Sequence, residues 1–196
     1  MHTMGLLTRK VVLASASPYR AQILRDVGVE FAVIVSDVDE SLHPKGEPVA
    51  YARELATRKA QAVATKVGAG KLVVAADTIC AIDGDIIGKP ADETDAQRMI
   101  MRSCMVGLQR VITGVCVVET NDMQSWTFDE TSLVEMQNVS EGKIAEYVAS
   151  GEPMGKCGAL CIESGKSFVR AWRGSYANIM GLPIERLLPL LFKLDV

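Results

Sequence analysis

Asp77 is a carboxylate that directly follows the apolar segment Leu72–Ala76, which predicts a buried strand. The carboxyl ends of strands are where the sites of α/β proteins assemble. A carboxylate at such a point can hold Mg²⁺ or Mn²⁺ through oxygen, or it can activate a water molecule. An aspartate after a strand is also a common turn or helix-capping residue. Position alone therefore leaves a catalytic and a structural role open for Asp77.

The segment Ser15–Arg20 joins a predicted strand to a predicted helix, with Ser17 expected as the N-cap and Pro18 as the first helical residue. Free N–H groups and the dipole at such a helix start favour an anion. The hydroxyls of Ser15 and Ser17 and the guanidinium of Arg20 can complete a phosphate cradle. A well-capped helix with a surface arginine accounts for the same residues, so the pattern by itself favours neither.

Two lysines and a glutamate complete the set of candidates. Lys59 lies one helical turn after Leu55 and borders the apolar side of its helix, so it need not point into bulk water. Lys89 lies in the constrained turn 88–90. Either lysine can contact a phosphate as a point charge, and either can equally be a surface residue. Glu40, in the acidic loop 37–40, can supply a metal ligand, although most acidic loops are merely solvated.

Composition removes several other kinds of site. The chain has 196 residues, 48% apolar and 23% charged, with a net charge of −3. This is a globular composition without the basic field that a nucleic-acid polymer requires. Its two histidines, His2 and His43, lie in the leader and in a polar loop, which leaves a Ser-His-Asp or Cys-His mechanism without a candidate base. Five cysteines without a C-x-x-C pair argue against zinc and disulfides and favour a cytoplasmic protein with reduced thiols.

The elements that must position these residues alternate between strands and helices. We predict strands at Val11–Ala14, Phe31–Val35, Leu72–Ala76, Ile79–Ile82, Asp85–Ile87, Val111–Glu119, Trp126–Gln137, Ala159–Glu163 and Phe168–Trp172. We predict helices from Pro18 to Gly28, from Pro48 to Val67, from Asp92 to Cys104, from Ser140 to Gly151, and from Pro183 to Leu194 with a kink or break at Pro189. The pattern predicts an α/β fold with a mixed β-sheet. Residues 11–196 are expected to form one domain after a loose leader, 1–10, and no apolar run is long enough for a membrane span.

The candidate segments, taken in their order along the chain, resemble the Maf family over nearly the whole chain from Val11. They are Leu13–Arg20, Asp37–Glu40, Glu54–Gln61, Val73–Thr78, Asp83–Pro90, Arg110–Val115, Glu146–Ser164 and Gly174–Pro183. The resemblance implies an inosine-triphosphatase-like fold, in which helices flank an elongated mixed sheet and two lobes enclose a cleft. It also implies hydrolysis of a nucleoside triphosphate to the monophosphate and pyrophosphate with a divalent cation, Mg²⁺ or Mn²⁺. Similar proteins are often dimers, so the resemblance also suggests a homodimer.

The resemblance also assigns roles to individual residues. Asp77 is implied to be the proton acceptor, and Arg20, Lys59 and Lys89 are implied to bind the triphosphate. Glu40 is implied to help hold the metal together with Asp77. A second hypothesis, of another class, is a non-catalytic nucleotide-binding regulator of cell division.

The implied base preference is mixed. One Maf subgroup, acting on dTTP and UTP, typically has S-P-R-R, D-T and I-Q, while a second, acting on 7-methyl-GTP, tends to have S-P-W-R, D-Q and a glutamate. Thr78 and the segment 174–183 resemble the first group, and we favour pyrimidine nucleotides on that basis. The features that resemble the second group are Tyr19, the loop 37–40, the turn 88–90 and Glu163.

Several of these residues, Thr78 among them, are expected to contact the substrate directly. Tyr19 offers an aromatic face that can stack on a base, and Glu163 can accept hydrogen bonds from a guanine edge. Lys156 is also implied to contact substrate, although Gly155 precedes it where the family usually has Asp.

Overall fold

A single mixed sheet forms the centre of the protein, in a computed structural model that describes residues 7–40 and 47–195. Its strands are β1 (Lys10–Leu13), β2 (Phe31–Val33), β3 (Lys71–Ile82), β4 (Asp85–Ile87), β5 (Leu108–Glu119), β6 (Ser125–Met136) and β7 (Val169–Arg173). The strand order is β2-β1-β3-β5-β6-β7, and β4 pairs with the far end of β3. Strand β1 is parallel to both of its neighbours, and all other pairs are antiparallel. The predicted α/β fold with a mixed sheet is confirmed.

The helices are α1 (Pro18–Asp26), α2 (Pro48–Ala64), α3 (Glu93–Val106), α4 (Glu141–Ala149), α5 (Tyr176–Ile179) and α6 (Ile184–Leu194). Side-chain oxygens of Ser17, Asp92 and Ser140 accept hydrogen bonds from the first turns of α1, α3 and α4. These caps satisfy amide groups that have no partner within the helix. The starts that the sequence predicted for these three helices are therefore confirmed to within one residue.

Three long strands, β3, β5 and β6, run through both ends of the molecule. At one end, α1 and α6 cover one face of the sheet and α2 covers the other. At the other end, α3, α4 and the 3-10 turn Cys157–Ala159 pack around a separate apolar cluster. The middle of β3 and β5, where Asp77 pairs with Gly114, lies between these two lobes. The side chains of Asp77 and Thr78 in this part of β3 line the cleft.

The sequence led us to expect a strand that ends at Asp77, but the structure shows none ending there. Strand β3 continues through it to Ile82, because antiparallel pairing with β5 extends from Leu72 to Ala81. What ends near Asp77 is the parallel partner, since β1 pairs only as far as Val74. The predicted strands 72–76 and 79–82 are therefore one strand.

The predicted strand at Ala159–Glu163 is also wrong. Gly158 and Ala159 have φ angles of 70° and 54°, and this left-handed conformation is incompatible with an extended strand. The chain forms turns there instead, and the next strand, β7, begins at Val169. A kink or a break was predicted at Pro189, and the break does not occur, because α6 is one helix from Ile184 to Leu194. Its residues Leu187 and Leu191 are fully buried against the sheet.

Of the loose leader predicted at residues 1–10, residues 1–6 lie outside the described residues, whereas Thr8 and Arg9 are held against Asp195. The backbone amides of Thr8 and Arg9 each donate to the Asp195 carboxylate at 2.7 Å. Leu7 packs on the apolar cluster beneath α1 and α6, and β1 already starts at Lys10. Within residues 7–40 and 47–195, no helix has the length and apolar character needed to cross a membrane.

Candidate active site

A cavity of about 1030 Å³ opens between the two lobes. Its walls come from the loop before α1, from α2, from the middle of β3 and from the segments 155–162 and 179–181. This volume lies at the upper end of the range for small-molecule and cofactor sites. It contains ten of the eleven residues that the sequence marked as candidates: Ser15, Ser17, Tyr19, Arg20, Glu40, Lys59, Asp77, Thr78, Lys89 and Lys156.

At the floor of the cavity, the ammonium group of Lys59 lies between two carboxylates. Its Nζ is 2.6 Å from Oδ1 of Asp77 and 2.9 Å from Oε1 of Glu40. Lys59 and Asp77 are both buried, whereas Glu40 is more exposed. Burial alone would raise the pKa of Glu40, but the hydrogen bond from Lys59 and the charges of Lys59 and Lys89 outweigh it and lower the pKa. Glu40 is therefore an anion in this arrangement at neutral pH.

Helix α2 reaches this position because β5 has a glycine where the helix crosses it. A Cβ atom on Gly114 would collide with the backbone of Ala52. Lys59 follows Ala52 by seven residues, so the two lie on the same face of the helix. Gly114 is the register partner of Asp77 on the neighbouring strand. The close approach of the helix to the sheet thereby brings the lysine to the aspartate.

Tyr51 also faces the cavity, although we did not predict it from the sequence. Tyr51, Leu55 and Lys59 follow one another at intervals of four residues, which places them in one stripe along α2, and all three line the cavity. Burial, followed by the negative charges of Asp77 and Glu40, raises the pKa of Tyr51. The spacing that pointed to Lys59 was also the signal for Tyr51.

Lys89 approaches the same carboxylate from the opposite lobe. Its Nζ is 3.6 Å from Oε2 of Glu40, and its side chain is mostly exposed. Lys89 follows the short strand β4, which extends the sheet beside the far end of β3. Both lobes thus contribute a lysine to the surroundings of Glu40.

Arg20 is held by three parts of the chain at once. Its Nε donates to the carbonyl oxygen of Gly181 at 2.8 Å, its Nη1 to the Ser15 hydroxyl at 3.0 Å, and its Nη2 to the Thr78 hydroxyl at 2.9 Å. Ser17 caps the helix by accepting a hydrogen bond from the Arg20 amide. Burial lowers the pKa of Arg20, and the nearby negative charges of Asp77 and Glu40 oppose this effect. The fixed guanidinium fits the predicted cradle better than it fits a surface arginine.

Tyr19 and Lys156 form a contact at another part of the wall. The Lys156 ammonium lies 4.7 Å from the centre of the Tyr19 ring, a cation–π geometry. The Tyr19 hydroxyl is 3.2 Å from the Cys161 sulfur, and this hydrogen bond, together with burial, raises the pKa of Tyr19. Glu163, the eleventh candidate residue, is exposed and is absent from the cavity wall. The turns at 158–165, which replace the predicted strand, place Glu163 outside the cavity.

Only two carboxylates from our candidates, Asp77 and Glu40, are available to hold a cation in this cavity. Within the described ranges 7–40 and 47–195, there is no cluster of three or more His, Cys, Asp or Glu side chains suited to a metal. Mg²⁺ commonly uses one or two protein carboxylates and takes its other oxygen ligands from substrate phosphates and water. The pair Asp77 and Glu40 fits that requirement.

The family model for "Maf-like protein" matches residues 10–194 of the chain. The chain belongs to the Maf family. A dTTP/UTP pyrophosphatase from Ruminiclostridium cellulolyticum is 38% identical to it, over 95% of this chain and 97% of the relative. Proteins with the same name from Dictyoglomus thermophilum and Acetivibrio thermocellus are 39% and 40% identical, and the matches cover 96% and 93% of this chain and 97% and 94% of the relatives.

Solved structures support the fold of this Maf chain. The Ham1 protein of Staphylococcus aureus matches 94% of the chain and 99% of its own length with a TM-score of 0.56 and 16% sequence identity. A HAM1 protein from Coxiella burnetii matches 95% of the chain and 100% of its own length with a TM-score of 0.51 and the same identity. At this level of identity the comparison concerns the fold alone.

Gly155 is one position where this chain departs from the family pattern. Gly155, at the position where the Maf pattern usually has Asp, lies on the cavity wall with a φ angle of 75°. No atom lies within 4 Å of the place where a Cβ would be. An aspartate would fit there sterically, and Asp is among the residues that adopt the left-handed conformation most readily.

Proposed function

We propose that this Maf chain hydrolyses nucleoside triphosphates to the nucleoside monophosphate and pyrophosphate, with dTTP and UTP as its preferred substrates. The observation that carries the proposal is the position of Lys59 between Asp77 and Glu40 in the cleft. The relatives at 38–40% identity over almost their whole length are named dTTP/UTP pyrophosphatases, which supports the same activity.

The basic residues account for binding of the phosphate chain. A triphosphate carries close to four negative charges, and charge increases on the leaving pyrophosphate during the reaction. Arg20 presents a rigid fork suited to phosphate oxygens, while Lys59 and Lys89 act as point charges. Fixed positive groups directed at developing negative charge stabilise a transition state without having to reorganise.

In the reaction that we propose, a water oxygen forms a bond to the α-phosphorus as the bond from that phosphorus to the bridging oxygen of the pyrophosphate breaks. Asp77 accepts the proton that the water loses. Lys59 holds Asp77 in place through the 2.6 Å contact to Oδ1. Glu40 and Asp77 would hold a divalent cation, Mg²⁺ or Mn²⁺, which would neutralise charge on the phosphates.

The contact between Lys156 and Tyr19 supports an uncharged base. The Tyr19 ring was expected to stack on a base, and a cationic 7-methylguanine would gain a cation–π contribution from it. The Lys156 ammonium already lies over that ring at 4.7 Å. A second cation in the same place would be repelled, so we favour pyrimidine triphosphates over 7-methyl-GTP.

The decisive experiment follows the products from a set of nucleoside triphosphates in ¹⁸O-labelled water, with Mg²⁺ or Mn²⁺ and with EDTA as the control. We expect dTTP and UTP to give the monophosphate carrying the label and unlabelled pyrophosphate. Release of single phosphate would contradict the proposal. Nucleotide binding without hydrolysis of any substrate in the set, 7-methyl-GTP included, would favour the regulator hypothesis instead.

We also propose a cytoplasmic location and a homodimer. Free thiols at Cys80, Cys104, Cys116, Cys157 and Cys161 support a reducing compartment.

The homodimer is an expectation from the family resemblance, and light scattering of the purified chain would test it through the molar mass.

A further inference from the structure

A buried threonine lies directly behind the cavity wall, on the strand next to Asp77 and Thr78. Thr113 is 0% exposed and is the register partner of Thr78 in the β3–β5 pair. Its Oγ1 is 3.0 Å from Oγ1 of Thr78 and 3.1 Å from the carbonyl oxygen of Asn178. The segment Arg110–Val115, which resembles the Maf family, includes Thr113, but the resemblance assigns it no role.

These contacts fix the direction of the hydroxyl protons. A carbonyl oxygen can only accept, so the 3.1 Å contact to Asn178 requires the proton of Thr113. Thr113 must then accept from Thr78 at 3.0 Å. The Thr78 oxygen in turn accepts from Nη2 of Arg20 at 2.9 Å. We call this chain of donors, from Arg20 through Thr78 and Thr113 to the Asn178 carbonyl, the threonine relay.

The acceptor at the end of the relay is itself fixed. Asn178 is 0% exposed, and its side-chain amide donates to the carbonyl oxygen of Val111 and to the Ser132 hydroxyl, each at 3.0 Å. Its carbonyl oxygen also accepts from the amide of Gly181 at 2.9 Å. The Gly181 carbonyl oxygen in turn accepts a hydrogen bond from Nε of Arg20. One buried asparagine therefore sets two of the three contacts that hold the guanidinium.

The relay has a consequence for the cavity. The proton of Thr78 points away from the cavity, so Thr78 offers Arg20 a lone pair of fixed direction. With Nε and one N–H on each terminal nitrogen engaged, Arg20 keeps one further N–H on Nη1 and one on Nη2. Two N–H groups in a rigid plane are what bidentate contact with phosphate oxygens requires.

We propose that Thr113 is a positioning residue that orients Arg20 toward the phosphate chain through Thr78. This inference rests on the proposed function, because it takes the phosphate chain of a nucleotide as the partner of Arg20. The family resemblance implies that Thr78 contacts the substrate. In this inference Thr78 instead supports Arg20, and the buried Thr113 determines the direction of the Thr78 hydroxyl proton.

The test measures binding of inorganic tripolyphosphate, which has the phosphate chain but no base, by calorimetry. Thr113→Val keeps the shape of the side chain and removes the hydroxyl. We expect the affinity of this variant for tripolyphosphate to fall about tenfold, the effect of losing one hydrogen bond between Arg20 and a phosphate oxygen. Thr113→Ser keeps the hydroxyl and should bind as the wild type does. In a Thr78→Val background, which already interrupts the relay, Thr113→Val should add nothing.

Thr127→Val is the matched control. Thr127 lies on the adjacent strand β6, and its hydroxyl faces Thr57 on α2 at 3.5 Å, away from the relay. Unchanged affinity in Thr113→Val, or a loss in Thr113→Ser as large as that in Thr113→Val, would overturn the inference. If Thr113→Val does not fold, Thr113→Ala and Thr113→Ser decide in its place, with loss of affinity expected in the first and retention in the second.

Turnover of dTTP by the wild type, measured in parallel, separates the two proposals. A wild type that binds tripolyphosphate but releases no pyrophosphate from any nucleotide contradicts the proposed function. A wild type that turns over normally, with Thr113→Val binding equally well, contradicts only the threonine relay.

Discussion

Lys59 is a buried ammonium group with a carboxylate on each side. Moving such a group out of water is costly, and only well-placed partners compensate for it. Asp77 at 2.6 Å and Glu40 at 2.9 Å are those partners, and Asp77 is buried as well. The three side chains therefore depend on one another, and the effect of removing one on the free energy of unfolding depends on whether the others are present.

Lys59→Met should lower the free energy of unfolding by about 3 kcal/mol, because it leaves the buried charge of Asp77 uncompensated. In an Asp77→Asn background the same substitution should cost much less. Chemical denaturation of the single and double variants measures the difference. Lys66→Met removes an exposed ion pair to Asp37 and is the control, with nearly unchanged stability expected. An equal loss from Lys59→Met in both backgrounds would contradict the coupling.

At the scale of elements, the site depends on how closely α2 packs against β5. Gly114 has no side chain, and this lets the backbone of Ala52 lie directly on the strand. The contact is made seven residues before Lys59 and opposite Asp77 in the sheet. A change in the distance between helix and strand would therefore move the lysine away from the aspartate.

Gly114→Ala should destabilise the protein by about 1–3 kcal/mol, the usual cost of overpacking. It should also reduce pyrophosphate release, because α2 must shift. Gly142→Ala is the matched control: Gly142 lies within α4 with no atom within 4 Å of the place that a methyl group would take, and alanine there should slightly stabilise the helix. Thermal unfolding and turnover, measured together, test this. Wild-type activity and stability in Gly114→Ala would show that the close approach is unnecessary.

The sequence predicted most elements because their signals are local. Ser17 is predicted as an N-cap, and Asp92 and Ser140 are predicted as helix starts; in the structure all three side chains cap their helices. Two of the errors concern information that is not local. Strand β3 continues past Asp77 only because β5 pairs with it, and the strand predicted at 159–163 fails because Ala159 adopts a left-handed conformation that its residue type does not signal.

At the scale of the whole molecule, the cleft exists because β3, β5 and β6 are shared by two lobes with separate apolar clusters. One lobe supplies Arg20 and Lys59, and the other supplies Lys89 and Lys156. Residue types alone left Arg20, Lys59 and Lys89 each with a surface or structural role as the alternative. Their meeting in one cavity was predictable only from the family resemblance, and the threonine relay was not predictable even from that, since it joins the distant residues 20, 78, 113 and 178.

The measurement that tests the central role of Asp77 most directly is pyrophosphate release from dTTP by Asp77→Asn, with Asp26→Asn, an exposed aspartate on α1, as the control. The amide keeps the size of the side chain but cannot accept the proton of the attacking water. We expect Asp77→Asn to remain folded, as judged by its circular dichroism spectrum, and to lose about 10²–10⁴-fold in turnover. Asp26→Asn should keep wild-type turnover. Pyrophosphate release by folded Asp77→Asn at the wild-type rate would contradict the account.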